Sequence, residues 1–332
     1  MSNKLYPWQK NDWQKLQSYV TQNRVPQALL INGALGIGKQ HLAERFAHAL
    51  LCEHPTIDGF SCGKCSRCLL IKADTHPDFV IVKPEEDPKT KKLKTSIGID
   101  QIRSLIEKLS LKPQFERYRV ILIYPADTLN NAAANAFLKY LEEPTERTVL
   151  LLITHRMNKL PATIKSRCQK FTMEMPDKNL VLQWLSLQTN NAEVVFNLAQ
   201  GSPLLAQQYA SDEHLTQRRE CFNAWLSIAK QQSHPVIVAE QWLKLPETTL
   251  LFWLSSWVID LMRYRHQPTP RNLYHADLSV ALSELAPRVN PIKLYEFYDL
   301  LLQSRRRLET QINKQVLWEE ILIAWALLNR SQ

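Results

Sequence analysis

Two apolar runs, residues 120–123 (VILI) and 149–153 (VLLLI), bracket a segment in which Ala134, Phe137, Leu138 and Leu141 recur at i, i+3, i+4 and i+7. That spacing gathers the four side chains on one face of a helix, whereas the flanking runs are apolar at every position and predict strands covered on both sides. Strand, helix and strand in this order make half of an α/β domain with a parallel sheet, because a parallel return needs a crossover long enough to hold a helix. Residues 28–31 and 78–82 supply two further candidate strands, and residues 7–24 and those from 99 onward read as amphipathic helices.

Length and composition limit what surrounds this unit. At 332 residues and 45% hydrophobic content, the chain exceeds what one core usually fills, so two or three domains are expected. Strand patterns stop near residue 173, and the remainder reads helical. Trp225, Trp242, Trp253, Trp257, Trp318 and Trp325 fall among Leu and Ile at helical spacings, as core residues do. The opening residues MSNKLYPWQKNDWQK are too polar for a signal peptide. The longest largely apolar run, 250–259, falls far short of the ~20 residues of a membrane span. A cytoplasmic location and no membrane partner are expected. The net charge of +9, from 41 Lys+Arg against 32 Asp+Glu, is compatible with a nucleic-acid partner, and more simply with a basic soluble protein.

The strand at 28–31 runs into Gly33-Ala34-Leu35-Gly36-Ile37-Gly38-Lys39-Gln40 and then a helix. In that context backbone N–H groups and a helix N-terminus can face a phosphate, with Gly33, Gly36 and Gly38 supplying the turn and Lys39 the cation. Position 40 departs from the pattern, because a Ser or Thr hydroxyl there would ligate Mg²⁺ and Gln40 does not offer one. Two readings stay open: a loop that binds ATP phosphates through Lys39, and a glycine-rich turn with no ligand. Hydrolysis is expected less than binding.

Cys52, Cys62, Cys65 and Cys68 are four of the six cysteines and lie within seventeen positions, three of them as C-x2-C-x2-C. In a reducing compartment this spacing favours a metal over disulfides, and four thiolates favour a structural Zn²⁺ with no open coordination position. An iron–sulfur cluster and unliganded thiols are the alternatives. His54 and His76, nearby, read as solvated loop histidines. Lys89, Lys91, Lys92 and Lys94 follow three acids in a polar loop that reads as solvated before it reads as a phosphate contact. Arg305-Arg306-Arg307 reads as a solvated helix face.

Together these segments closely resemble the clamp-loader branch of the AAA+ ATPases. In that family a Walker B strand, an ANALLK-LEEP helix, a sensor-1 strand and a Ser-Arg-Cys arginine finger follow one another. Here they correspond to residues 120–123, to Asn135-Ala136-Phe137-Leu138-Lys139 with Leu141-Glu142-Glu143-Pro144, to the strand ending in Thr154, and to residues 160–168 (LPATIKSRC). Ile99-Asp100-Gln101-Ile102-Arg103 and the cysteine knuckle after the first helix also look like the family. The resemblance implies α/β followed by all-α architecture: an AAA+ P-loop-type domain over 1–172 with an inserted zinc module at about 52–68, a helical lid over 173–209 and a helical collar over 210–332.

The resemblance also assigns roles. Arg167 would be an arginine finger acting in trans on a neighbouring subunit's ATP, with Ser166 and Cys168 completing its motif. Cys168 itself reads as a packed thiol, since no histidine is placed to activate it. Thr154 would stand at the sensor-1 position. Three departures bear on activity: Tyr124-Pro125 where the family has the Asp-Glu pair that holds Mg²⁺ and polarises water, Gln40, and Leu204 where active members have an arginine. A chain that keeps the finger and lacks the acids is implied to be a non-hydrolysing stator. It would sit in a pentameric ring beside a delta subunit and three ATP-hydrolysing gamma/tau subunits, which loads a sliding clamp onto primed DNA. The rival readings are a working gamma/tau-like motor and a free-standing zinc-dependent DNA-binding module.

Overall fold

Five parallel strands form one sheet: β1 (Ala28–Asn32), β2 (Phe79–Val82), β3 (Arg119–Ile123), β4 (Thr148–Thr154) and β5 (Gln169–Thr172), in the spatial order β2-β3-β4-β1-β5. The structure is a computed structural model, and it describes residues 4–87, 91, 93–308 and 312–330. Successive side chains of a strand point to opposite faces, and both faces are covered here. Leu29, Ile31, Val120, Leu122, Val149, Leu151 and Ile153 enter a core shared with α1 (Lys10–Thr21), α2 (Lys39–Leu51) and α3 (Ser66–Lys72). Leu30, Ile121, Ile123, Leu150 and Leu152 enter another, shared with α4 (Ile99–Leu109), α5 (Asn131–Glu142) and α6 (Ala162–Arg167). The sheet lies between two helical layers, which is why its central strands carry no polar alternation. This is the α/β architecture that the AAA+ resemblance implied.

Strand β5 escaped the sequence reading. Of Gln169, Lys170, Phe171 and Thr172 only Phe171 is buried, because the segment pairs on one side, with β1, at the edge of the sheet. An edge strand of four residues has too few inward positions to print a periodic pattern. His76, expected as a solvated loop histidine, is not one. It is buried against Phe115, ring centroids 5.3 Å apart, and its Nδ1 accepts the backbone N–H of Asp78 at 3.2 Å. Burial holds its pKa below the ordinary value, so it is a neutral packed ring and not a solvated one.

The chain divides into two compact units, Met1–Val181 and Leu182–Gln332, and passes from one to the other within α7 (Lys178–Ser186). Among the described residues the second has helices and no strand: α8 (Ala192–Leu198), α9 (Pro203–Tyr209), α10 (Asp212–Ala229), α11 (Pro235–Trp242), α12 (Glu247–His266), α13 (Ser279–Leu285), α14 (Pro291–Arg307) and α15 (Lys314–Arg330). Trp225, Trp242, Trp253, Trp257, Trp318 and Trp325 are all buried in it. Trp225 stacks on Trp325 at 4.0 Å between ring centroids, and the Trp325 indole N–H donates to the Trp225 carbonyl at 3.0 Å. A buried polar group completes this core. Arg218 Nη1 donates to His275 Nδ1 at 2.7 Å, so the ring is a neutral Nε2–H tautomer donating to Ser256 Oγ, also at 2.7 Å. With its acceptor nitrogen occupied by a cation, His275 cannot serve Ser256 as a base. Among the described residues no helix is long and apolar enough to cross a membrane.

Candidate functional site

Pairing of Asn32 with Thr154 and of Ile123 with Leu152 brings the ends of β1, β3 and β4 to a common edge of the sheet. The carboxyl edge of such sheets is where open α/β folds place ligands. The loop after β1 has the glycine geometry anticipated. Gly36 and Gly38 adopt φ of 75° and 86°, in the left-handed region. A Cβ at Gly38 would stand 2.6 Å from Gln9 Nε2, and one at Gly33 would stand 2.5 Å from the Met173 carbonyl oxygen.

What fills the surroundings of this loop is the chain itself. Trp8 Nε1 donates to the Ile37 carbonyl at 2.9 Å and Gln9 Nε2 to the Gly38 carbonyl at 2.8 Å. Tyr6 stacks on Trp8 at 5.0 Å and lies 4.7 Å from the His41 ring. The Lys39 ammonium donates to the Gly33 carbonyl at 2.9 Å and to the Ala34 carbonyl. Two of its three N–H groups are thereby engaged by the loop that would present them to phosphate. Burial pushes the Lys39 pKa down to about 8, with the Asp127 charge working in the opposite direction. Gln40 turns along its own helix, donating to Glu44 Oε1 at 2.9 Å.

Asp127, in the turn after β3, was not singled out from the sequence. Thr154 Oγ1 donates to its Oδ1 at 2.7 Å, and His155 Nδ1 stands 3.7 Å from the same oxygen. Thr154 is fully buried, and its hydroxyl also accepts the Arg156 N–H at 3.0 Å. Burial lowers the His155 pKa despite Asp127, so the ring is neutral near pH 7. The hydroxyl that would report on a γ-phosphate is thus committed to a carboxylate of the same chain. The available signal was an acid three residues beyond Tyr124, in the turn that follows a buried strand.

Arg167 ends α6 and is exposed. Its Nε donates to Glu142 Oε1 at 2.9 Å, its Nη2 donates to the same oxygen, and its Nη1 donates to the Thr163 carbonyl at 3.0 Å. Ser166 is also exposed, while Cys168 is buried, its thiol pushed up to about 11 by desolvation, as a packed and unreactive group. Leu204 is the second residue of α9, in the other unit.

The Sγ atoms of Cys52, Cys62, Cys65 and Cys68 all lie within 4.8 Å of one another. Two of the separations, Cys52–Cys65 and Cys62–Cys68, are 3.9 Å. Tetrahedral Zn–S bonds of about 2.3 Å put sulfurs about 3.8 Å apart, so the residues fit the ion. None of the six cysteines forms a disulfide. The backbone N–H of Cys62 donates to Cys52 Sγ at 3.2 Å and that of Cys65 to Cys62 Sγ at 3.3 Å. Such bonds favour the thiolate; those from Lys64 and Cys65 bring Cys62 down to about 6, whereas burial raises Cys52 and Cys68. The cluster could hold a metal, and all four of its positions belong to the protein. Elsewhere, Lys94 pairs with Glu85 at 3.8 Å and Lys91 is exposed, while Lys89 and Lys92 lie outside the described residues. Arg305 and Arg306 are exposed, and Arg307 pairs with Glu320 at 2.7 Å.

The family described as DNA polymerase III, delta subunit, matches residues 8–177, and its C-terminal counterpart matches residues 212–326. The DNA polymerase III subunit delta' of Pseudomonas aeruginosa is 35% identical over 331 residues, covering 98% of both chains. The chain belongs to the DNA polymerase III delta-prime subunit family. Delta-prime of Escherichia coli is 29% identical, covering 96% of this chain and 94% of its own. Similarity to the tau/gamma subunit of Haemophilus influenzae is 33% over 164 residues, 49% of this chain and 22% of that one. Full-length likeness therefore runs to delta-prime subunits.

Proposed function

We propose that this chain is the stator of a DNA polymerase III clamp loader, a subunit that lends Arg167 to ATP held by a neighbour and hydrolyses none itself. The observation that carries the reading is the placement of two cations: Arg167 stands at the surface, while Lys39 is buried and engaged by its own loop. Tyr124-Pro125 at the end of β3 offers neither a Mg²⁺ ligand nor a group to polarise water. A guanidinium suits the proposed role because its planar fork matches phosphate oxygens and its charge persists at any physiological pH.

In this reading the partners are gamma/tau and delta subunits in a cytoplasmic pentameric ring, with the sliding clamp and primed DNA met through the complex. Residues 173–209 serve as the lid and 210–332 as the collar. Zn²⁺ held by Cys52, Cys62, Cys65 and Cys68 would supply no reaction chemistry; it would tie the end of α2 to α3. The test is reconstitution with the partner subunits: Arg167→Ala leaves assembly intact and lowers DNA-stimulated ATP hydrolysis. Unchanged turnover removes the finger from the mechanism.

A second reading, ATP turnover by this chain, draws on Asp127, an acid close enough to Lys39 to affect its pKa. Turnover by the purified chain that is lost in both Lys39→Ala and Asp127→Asn would establish it in place of the first.

A further inference from the structure

The LEEP segment at the end of α5 holds Glu142, to which neither the fold nor the proposed function has given work. Its carboxylate meets Arg167 in a specific manner. Both Nε and Nη2 donate to Oε1, which is the side edge of the guanidinium plane, and Nη1 is tied to the Thr163 carbonyl one turn back on α6. On the Nη1–Nη2 end of the fork, Nη1 makes one further contact among the described residues, to Ser166 Oγ at a long 3.5 Å. A guanidinium can bind an oxyanion through either edge, so with Glu142 on the side edge and Thr163 on Nη1, the second Nη2 N–H is the donor left for an outside oxygen. The pair is half-exposed, at 34% for Arg167 and 51% for Glu142. Ion pairs in that setting contribute little to folding, so stability does not account for it.

We propose that Glu142 is a positioning residue for Arg167: it clamps the side edge of the guanidinium and, with the Thr163 carbonyl on Nη1, fixes its plane so that the second Nη2 N–H is ready for a phosphate on an adjoining subunit. The inference rests on the finger reading and deepens it. Without the carboxylate the arginine samples its many rotamers, and the geometry must be restored in each catalytic event. Misplacement by about 1 Å is enough to cost roughly a hundredfold in rate. Because the contact to a γ-phosphate tightens in the transition state, the loss falls on kcat and not on the KM for ATP.

The experiment is a double-mutant cycle in the reconstituted complex with primed DNA, reading kcat and KM for ATP, with thermal midpoints taken on the isolated chain. Glu142→Ala lowers kcat by roughly 10- to 100-fold with KM unchanged. Glu142→Gln, whose amide oxygen still accepts from Nε, recovers part of the loss. Adding Glu142→Ala to Arg167→Ala produces no further decrease. If Arg167→Ala lowers kcat and Glu142→Ala does not, the clamp is wrong while the finger stands. If Glu142→Ala lowers kcat by the same factor with and without Arg167, it acts independently and the clamp is wrong. Loss of assembly in Glu142→Ala would make it an interface residue instead. If Arg167→Ala itself has no effect, the finger reading falls and the clamp falls with it.

Discussion

Lys39 and Arg167 are both the cations of segments that resemble triphosphate-binding motifs, yet they sit in opposite circumstances. Lys39 is buried, with its pKa lowered to about 8 and its N–H groups engaged by the Gly33 and Ala34 carbonyls. Arg167 is exposed on the last turn of α6, held along its side edge by Glu142 and at Nη1 by the Thr163 carbonyl, with an Nη2 N–H left over. On the proposed reading, a motif cation serves another molecule where it stands at the surface with a donor to spare. The lysine of a glycine-rich loop can be absorbed by that loop; the arginine at the end of α6 is held by its neighbours yet stays at the surface.

The comparison can be broken or sharpened by experiment. The largest effect expected is at the cysteine knuckle, which should matter to neither cation. Structural zinc contributes on the order of 10 kcal/mol to such modules, so Cys65→Ser should abolish metal retention and unfold the knuckle. Metal analysis and limited proteolysis read this out, and a simultaneous collapse of the sheet would show that the knuckle does more than local work. Next comes Arg167→Ala, for which roughly a hundredfold loss or more is expected at the adjoining ATP site. In the same assay Lys39→Ala should change turnover by less than about twofold, since a cation bound to its own loop touches no partner's phosphate. Equal losses in the two variants would erase the distinction.

The effect of Lys39→Ala should appear instead in folding. Removing the donor to two loop carbonyls is expected to lower stability by about 1–3 kcal/mol, measured by urea titration. The smallest expected effect is one of pH. The folded pKa of Lys39, about 8, lies below the ordinary 10.5. Between those values the unfolded chain holds a proton that the folded chain has lost, so this group makes stability rise with pH across the window. Lys39→Met should remove that component, of about 1 kcal/mol after allowance for solvent screening. An identical pH slope in both proteins would mean that the ammonium is effectively in water.

Much of this was legible before any coordinates. Apolar strands at 28–31, 78–82, 120–123 and 149–153, the helix carrying Phe137 and Leu141, and the tryptophan-rich helices all appear close to where unbroken apolar runs or helical spacing put them. Knuckle spacing, the missing acids at Tyr124-Pro125 and the retained Ser-Arg-Cys are equally properties of the letters. All are local, set by rotation per residue, by cysteines three positions apart or by residues adjacent in the chain.

Only the tertiary structure decided who meets whom. Asp127 accepting from Thr154 is a contact across 27 positions, Glu142 on Arg167 one across 25, and Trp8 and Gln9 on the loop after β1 each one across 29. The burial of His76 and the pairing of β5 with β1 belong to the same class. No periodicity reports such meetings, because they depend on the order in which strands pack and on which helix ends then face each other. The sequence determined which groups the chain keeps; packing determined which of them it has already used.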